Sequence, residues 1–307
     1  MSPVLPGILL MIATCAVWAL AFVAPIALPH ATVAEVTLGR TLAYGLISLG
    51  LFDLRRALRL PRAVLAKALV FALAGNVAYY ALLVLGMRWA GASLGVLLIG
   101  LAPVTVTVAG RLQAGIGALR PVAFPLALFC AGLVVANAAG NDLSLPPSPL
   151  APAGVLGILA ALAMWTWYAV ANARFLGETR LVSEQEWSSV VGLVSLAAAV
   201  VALPVAWAAG LTRAPSTIPT GELARLGLWS VLLGGGSTWL GTVLFNMASK
   251  RLDLAILGQM IVFEAVFGMV YVFIAAGEAP TWQQVAGTSI AVFAVWLSIR
   301  RLYGSPP

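Results

Sequence analysis

Length, composition and charge together exclude a soluble globular domain. The chain has 307 residues, of which 62% are hydrophobic and only 9% are charged, and its formal net charge is +7. Soluble domains carry about 25% charged residues, and the shortage here extends along the whole sequence. A bilayer core about 30 Å thick requires roughly 20 apolar residues per helix. The composition therefore predicts a membrane protein with many spans.

Apolar segments of membrane-spanning length follow one another along the chain. They do not alternate polar and apolar residues, so they predict helices and not the strands of a barrel. The first segment has no basic stretch before it and is too long for a signal peptide, so we expect it to be retained. We predict an all-α polytopic membrane protein with ten transmembrane helices. Their predicted bounds are about 6–28, 33–52, 64–87, 92–110, 121–138, 153–175, 186–209, 223–247, 253–274 and 280–300.

Basic residues are distributed unevenly between the two sides of this predicted helix array. With ten helices both termini face one side, and 13 of the 17 basic residues fall there: Arg55, Arg56, Arg59, Arg62, Lys67, Arg111, Arg120, Arg174, Arg180, Lys250, Arg251, Arg300 and Arg301. Basic residues gather on the cytoplasmic side of inserted helices. We therefore expect a bacterial inner (plasma) membrane protein with both termini in the cytoplasm. The same asymmetry explains the positive charge without a nucleic-acid partner.

The chain also resembles itself at two places that lie about half its length apart. The matched residues are Gly7 with Gly154, Trp18 with Trp165, Gly75 with Gly235, Tyr79 with Trp239 and Met87 with Met247. An odd number of helices in each repeat forces the second copy to insert upside down, and inverted repeats are common in secondary transporters. We predict a first five-helix repeat at 1–140, a periplasmic linker at 141–152 and a second repeat at 153–307.

Two charged residues lie at membrane depth in the predicted helices. Ionisable side chains are costly there and usually face a cavity or a partner. Glu264 lies near the middle of the ninth segment, and we expect either a proton or substrate contact or a hydrogen-bonded carboxyl that holds helices together. Arg40 lies about two turns inside the second segment, where a packing salt bridge or snorkelling is the alternative to a role in the polar core. Glu35 is predicted to be interfacial.

Aromatic and amide side chains supply the candidates for binding a substrate. Interfacial belts hold Trp and Tyr at helix ends, whereas several here lie inside the predicted helices and could stack on an aromatic substrate or attract a cation. Plain helix packing is the alternative, as it is for amides, which also join helices. The substrate-binding candidates are Trp18, Asn76, Tyr79, Tyr80, Trp165, Tyr168, Trp239, Asn246 and Gln259.

Motifs for catalysis, metals and cofactors are missing from the sequence. It has no metalloprotease helix motif, no phosphate-binding loop and no dinucleotide fingerprint. His30 is the single histidine, and Cys15 and Cys130 are the two cysteines. Both cysteines lie within apolar segments and are expected to be buried packing residues. We therefore expect neither an enzyme nor a resident metal or cofactor.

Several of these features resemble the drug/metabolite transporter superfamily of the EamA type. The likeness rests on the two predicted five-helix repeats, Trp18, Arg40, the run 263–267 (Phe-Glu-Ala-Val-Phe), Gly277-Glu278 and Gly287. The family often has Pro where this chain has Ala265, and the first half lacks the Gly-Glu pair. The chain is most similar to the bacterial aromatic amino-acid exporters of the YddG type. This resemblance implies export of Phe, Tyr, Trp and related amphipathic compounds.

Combining the residues with the resemblance, we expect a transporter that works by alternating access. An aromatic amino acid is expected to stack on Trp18, Trp165, Tyr79 or Trp239, with its zwitterion met by side-chain amides. Two alternatives stay open. The first is export of another small metabolite or a cationic drug, and the second is a membrane protein that does not transport. The predicted partners are the substrate and the lipid bilayer.

Overall fold

Helices form nearly all of the described chain. The computed structural model describes residues 4–90, 95, 98–112, 115–138, 149–277 and 279–303, and no strand occurs in these ranges. The predicted all-α class is therefore confirmed. Most of the predicted linker, part of the predicted fourth helix and Glu278 lie outside the described residues.

Ten long helical segments, labelled α1 to α10, account for most of these residues. They are α1 (Val4–Trp18), α2 (Val33–Leu51), α3 (Arg62–Ala72 with Ala78–Ala90), α4 (Ala102–Leu112), α5 (Arg120–Asn137), α6 (Ala151–Glu178), α7 (Glu184–Ala208), α8 (Thr220–Val231 with Gly241–Ser249), α9 (Leu254–Met260 with Val262–Ala276) and α10 (Trp282–Tyr303). Short helical turns at Ala24–Ala27, Leu54–Leu58, Ile116–Leu119 and Pro215–Thr217 lie in the connections.

Eight of the described helices are long and apolar enough to cross a membrane, which confirms a protein with several spans. The two segments that do not qualify are α2 and α4. In α2, Glu35 and Arg40 occupy the first half of the helix and lower its mean hydropathy. The described part of α4 has only 11 residues, shorter than the roughly 20 that a bilayer core requires.

Two helices begin with the same hydrogen-bonding motif. At the start of α2, the Thr32 hydroxyl accepts from the Glu35 amide while the Glu35 carboxylate accepts from the Thr32 amide. At the start of α7, Ser183 and Glu186 form the same reciprocal pair. Such a capping box satisfies amides that have no partner in the first turn of a helix. It fixes where both helices begin.

Three helices depart from α-helical geometry in their interiors. Leu73–Val77 in α3 and Leu232–Leu240 in α8 are π-helical, and α9 is interrupted at Ile261. The Gly234–Gly236 run falls inside the longer π-helical segment. π-Helical turns are rare and often occur at functional sites. These irregular segments surround the candidate site described below.

The most extensive helix packing pairs α5 with α10, α3 with α6, α2 with both α7 and α8, α1 with α8, and α4 with α9. The α5–α10 pair approaches most closely at Gly132 and Gly287. A Cβ atom on Gly287 would meet the backbone of Gly132 and Ala136, and one on Gly132 would come within 2.7 Å of the Gly287 carbonyl. Only glycine leaves room for such backbone contact between membrane helices.

The first helix ends earlier than the sequence suggested. The prediction extended to residue 28, but α1 gives way to a 3-10 turn at Ala19–Phe22, followed by the short helix Ala24–Ala27. Pro25 has no amide hydrogen to continue the helical bonding ladder, which explains why the regular helix stops before it.

Candidate functional site

The aromatic residues that head the two predicted repeats lie next to each other. The rings of Trp18 on α1 and Trp165 on α6 have centroids 6.2 Å apart in an edge-to-face arrangement. The Trp18 ring also lies 5.3 Å from Phe245 on α8. Gly241 on α8 leaves the space that Trp18 occupies, because a Cβ atom there would come within 2.5 Å of the indole. Both tryptophans are half-buried, so part of each ring remains open to a ligand.

Arg40 approaches this region from α2. Its guanidinium carbon lies 4.7 Å from the centre of the Tyr80 ring on α3, a distance typical of a cation–π contact. Tyr79, one position earlier, lies within electrostatic range of both Arg40 and Glu264. Arg40 has no carboxylate partner among the ion pairs of the described residues. The positive charge of Arg40 is therefore available to an anionic group of a ligand.

Glu264 also lies within electrostatic range of Tyr79, in the first turn that follows the interruption of α9. The negative charge of a carboxylate is favoured at a helix N-terminus, where backbone amides point toward it. Within the described chain, no side-chain hydrogen bond or ion pair engages Glu264. Arg40, Tyr79 and Glu264 thus supply a cation, an aromatic ring and an anion in one neighbourhood.

Two further buried groups, one on α1 and one on α9, lie close to this interruption. The Cys15 thiol donates to the Met260 carbonyl at 3.3 Å and lies near Glu264. Gln259 is only 3% exposed, and its amide nitrogen is the one buried side-chain nitrogen in the described ranges without a hydrogen-bond acceptor. Buried polar groups normally have partners. An unsatisfied amide at the α9 interruption therefore favours a polar ligand there.

Asn246 has a different environment from the one the sequence suggested. Its side chain accepts from Asn172 at 2.7 Å and donates to Ser188 at 3.1 Å. The Asn172 carbonyl oxygen accepts from the Trp187 indole at 2.8 Å. All four residues are fully buried. This network joins α6, α7 and α8 and leaves Asn246 little capacity for a substrate.

The remaining candidates divide between the site and the packing around it. Asn76 is half-buried in the π-helical segment of α3. Tyr168 is buried with its ring 5.7 Å from Phe71. The Trp239 indole donates to the Ser189 hydroxyl at 3.1 Å. Sequence reasoning missed Phe71, which packs edge-to-face on a cluster of aromatic side chains. Its neighbours are Trp167, Tyr168, Phe175 and Trp187.

An ion cluster closes one end of the helix array. The Arg213 guanidinium donates to Glu35 at 2.7 Å and to Glu222 at 2.7 Å, and its backbone amide donates to Glu35 at 2.8 Å. The Glu35 side chain is 5% exposed and that of Arg213 is 30% exposed. Hydrogen bonds with Glu35 and Glu222 raise the pKa of Arg213 above its ordinary value. Glu35 thus ties α2 to the loop between α7 and α8.

A second set of ion pairs lies at the opposite ends of α2 and α7. Arg56, just after α2, pairs with Glu186 in the first turn of α7 at 2.6 Å. Lys250 at the end of α8 pairs with Glu184 at 3.0 Å. An ion pair therefore lies at each end of the α2–α7 pair. In each, a carboxylate in the first turn of one helix pairs with an arginine that follows the last turn of the other helix.

Comparison with known proteins places the chain in a family. It is 30% identical over 310 residues to the inner membrane protein YtfF of Escherichia coli (strain K12), an alignment that covers 96% of this chain and 95% of that protein. The chain belongs to the YtfF family. No family model matches its sequence. With its apolar helices, this relationship makes it a multi-pass protein of a bacterial inner membrane.

A solved structure shares the fold. A protein crystal structure with 20% sequence identity superposes with a TM-score of 0.76, over 97% of this chain and 98% of the other. At this level of identity the likeness concerns the fold alone.

Proposed function

We propose that this member of the YtfF family is a secondary-type transporter that exports aromatic amino acids by alternating access. One observation carries the proposal: Arg40 and Glu264 both lie near Tyr79, and neither has an ion-pair partner in the described ranges. An amino-acid zwitterion presents a carboxylate and an ammonium group that match this pair. Trp18 and Trp165 supply the rings on which its aromatic side chain stacks.

In this site the zwitterion meets charged side chains, in place of the amides that the sequence suggested. Arg40 holds the substrate carboxylate, since a guanidinium presents two parallel donors to a carboxylate. Glu264 accepts from the ammonium group. The unsatisfied amide of Gln259, in the turn of α9 before the interruption, contributes a further donor. A few oriented polar groups within an aromatic lining are typical of small-molecule sites.

The transport mechanism requires two halves, and we infer ten spans arranged as two inverted five-helix repeats. If the two repeats are interchanged, helices α1 to α5 take the places of α6 to α10 and the reverse. The α1–α8 pair then becomes the α6–α3 pair, and the α2–α7, α4–α9 and α5–α10 pairs are unchanged. All of these pairs are present in the observed packing. The π-helical segments of α3 and α8 occupy corresponding positions. Inverted halves with a site near the midplane are a recurrent transporter architecture.

Interchanging the two repeats also relates the ion pairs at the two ends of the helix array. Glu35 in the first turn of α2 pairs with Arg213 after α7, and Glu186 in the first turn of α7 pairs with Arg56 after α2. We propose that each set closes one face of the transporter and that the two faces open in turn. The π-helical segments of α3 and α8 supply the flexible positions about which the halves rock.

Counterflow in proteoliposomes tests the proposal. Vesicles are preloaded with unlabelled Phe, and uptake of labelled Phe is compared with uptake of Leu, Lys and a quaternary ammonium compound in matched vesicles. Selective accumulation of Phe is expected, with strong loss in Arg40→Gln. A folded protein that gives no counterflow with any solute would support a membrane protein that does not transport.

We also propose that protonation of Glu264 couples export to the proton gradient. Glu264 lies among apolar helices and beside the substrate position, so its charge state changes the energy of the loaded site. The Glu264→Gln variant should exchange Phe more weakly, because the ammonium group loses its carboxylate partner, and the exchange that remains should not respond to a pH gradient. Gradient-driven flux in that variant would exclude this coupling.

Export of a cationic compound is the second candidate, and the Glu264 side chain near Tyr79, without an ion-pair partner in the described ranges, favours it. Aromatic faces and a carboxylate attract a quaternary ammonium group without any need for Arg40. The two candidates separate on Arg40→Gln, which should abolish exchange of a zwitterion and leave exchange of a cation intact.

A further inference from the structure

A long groove separates α9 from α10 on the outer surface of the helix array. Its volume is ≈ 610 Å³, within the roughly 300–1,000 Å³ of ligand-sized cavities. The α10 wall is one face of that helix between Val285 and Trp296, and the α9 wall contains Val266 and Met269. The other face of α10 packs on α5 through Gly287. The groove therefore opens toward the bilayer.

The lining of the groove is apolar even where it contains hydroxyl groups. The Thr288 hydroxyl donates to the Met269 sulfur at 3.9 Å, and the Ser289 hydroxyl donates to the Val285 carbonyl at 2.7 Å. Both hydroxyls are thus engaged inside the protein. Phe293 and Trp296 are 52% and 47% exposed, and their rings stack with centroids 5.3 Å apart. The groove offers hydrocarbon and aromatic surface to its occupant.

One end of the groove carries a positive charge. The Arg300 guanidinium carbon lies 4.7 Å from the Trp296 ring, which holds the side chain beside the groove. Arg301 lies 5.4 Å from the Phe124 ring on α5. Both arginines are exposed, and neither belongs to an ion pair within the described chain. Their donors remain available to an anionic group.

We propose that this groove binds an acyl chain of an anionic phospholipid, with the phosphate of its head group held by Arg300 and Arg301. The dimensions fit one leaflet. Val285 to Trp296 spans roughly 16 Å at 1.5 Å per residue, close to half of the roughly 30 Å hydrocarbon core. Arg300 follows one turn beyond Trp296, at the level of the head groups. Trp296 takes the interfacial position typical of membrane tryptophans.

A second copy of the chain fits this surface less well than a lipid does. A two-fold dimer brings the same patch of both subunits together. With helix α10 at the interface, Arg300 and Arg301 of each copy would lie near those of the other, and like charges at an interface are unfavourable. A phosphate neutralises the same charges. The proposal concerns the lipid surface and is independent of the transported solute.

Native mass spectrometry of the full-length protein in detergent tests the proposal. The protein is titrated with phosphatidylglycerol and with phosphatidylcholine of the same acyl composition. The variants are Arg300→Gln with Arg301→Gln, and Ser289→Trp, which places a bulky side chain in the groove. Arg59→Gln, an exposed arginine in the connection between α2 and α3, is the matched control. Glycerol phosphate tests the head group alone.

The unmodified protein and Arg59→Gln should bind phosphatidylglycerol in preference to phosphatidylcholine. The affinity should fall about fivefold for each arginine replaced, because a basic residue near an anionic lipid contributes about 1 kcal/mol. Ser289→Trp should weaken binding of both lipids, and glycerol phosphate should not compete. Equal binding in the double arginine variant, or competition by glycerol phosphate, would overturn the proposal. A protein dimer that Ser289→Trp dissociates would also overturn it.

Discussion

Removing the guanidinium of Arg213 should destabilise the helix array at one end. Glu35 is 5% exposed and loses its paired charge in Arg213→Gln. Breaking one partner of a buried ion pair costs about 3–5 kcal/mol. Glu35 keeps its bonds from the backbone amides of Thr32 and Arg213, and Arg213 is itself 30% exposed. We therefore expect the free energy of unfolding to fall by about 2 kcal/mol.

The assay is reversible unfolding in detergent micelles, followed by far-ultraviolet circular dichroism. A double-mutant cycle with Glu35→Gln should give a coupling free energy of about 1–2 kcal/mol, since the two side chains share two hydrogen-bonded contacts. Arg225→Gln is the matched control, because Arg225 is an exposed arginine on α8 outside the cluster. Additive effects of the two single variants, or an equal loss in Arg225→Gln, would refute the reasoning.

Three further outcomes are expected. Asn172→Leu should lower the free energy of unfolding by about 2–4 kcal/mol, because it leaves the Trp187 indole N–H and the side-chain carbonyl oxygen of Asn246 without their partner in the core; substrate selectivity in counterflow should not change. Gly287→Leu should prevent a monodisperse preparation in size-exclusion chromatography, because α5 leaves no space for a side chain, whereas Gly177→Ala has open space and should behave normally. Arg40→Gln should strongly raise the KM for Phe, because the substrate carboxylate loses its guanidinium partner, whereas Arg225→Gln should leave it unchanged, as initial rates over a range of Phe concentrations will show.

The class of the fold could be predicted because the bilayer imposes it. Long apolar segments without alternation must satisfy their backbone groups internally, so they form helices. The start of a helix can also be predicted where a side chain caps it. Thr32 and Ser183 are examples, because each is followed three residues later by the glutamate of a capping box. The irregular interiors of α3 and α8 were not readable, since π-helical turns depend on packing against neighbouring helices as well as on glycine.

Individual roles within the candidate site were less accessible from the sequence. Asn246 and Gln259 look alike as amides inside apolar helices, yet one lies in a hydrogen-bonded network and the other has no acceptor in the part of the chain that the structure describes. Glu35 looked like an unremarkable interfacial residue, and its partner Arg213 lies 178 positions away. No local pattern reports a pairing over such a separation.

The sequence by itself determined that this protein is embedded in a membrane and that its apolar segments form helices, and it predicts that Arg40 and Glu264 lie at a depth where charge is costly. These properties follow from composition and from the hydrogen-bonding demands of the backbone in lipid. Only the tertiary structure decided which polar groups meet. Arg40 lies on α2 and Glu264 on α9, so their common neighbourhood around Tyr79 arises from packing between helices that are far apart in the chain.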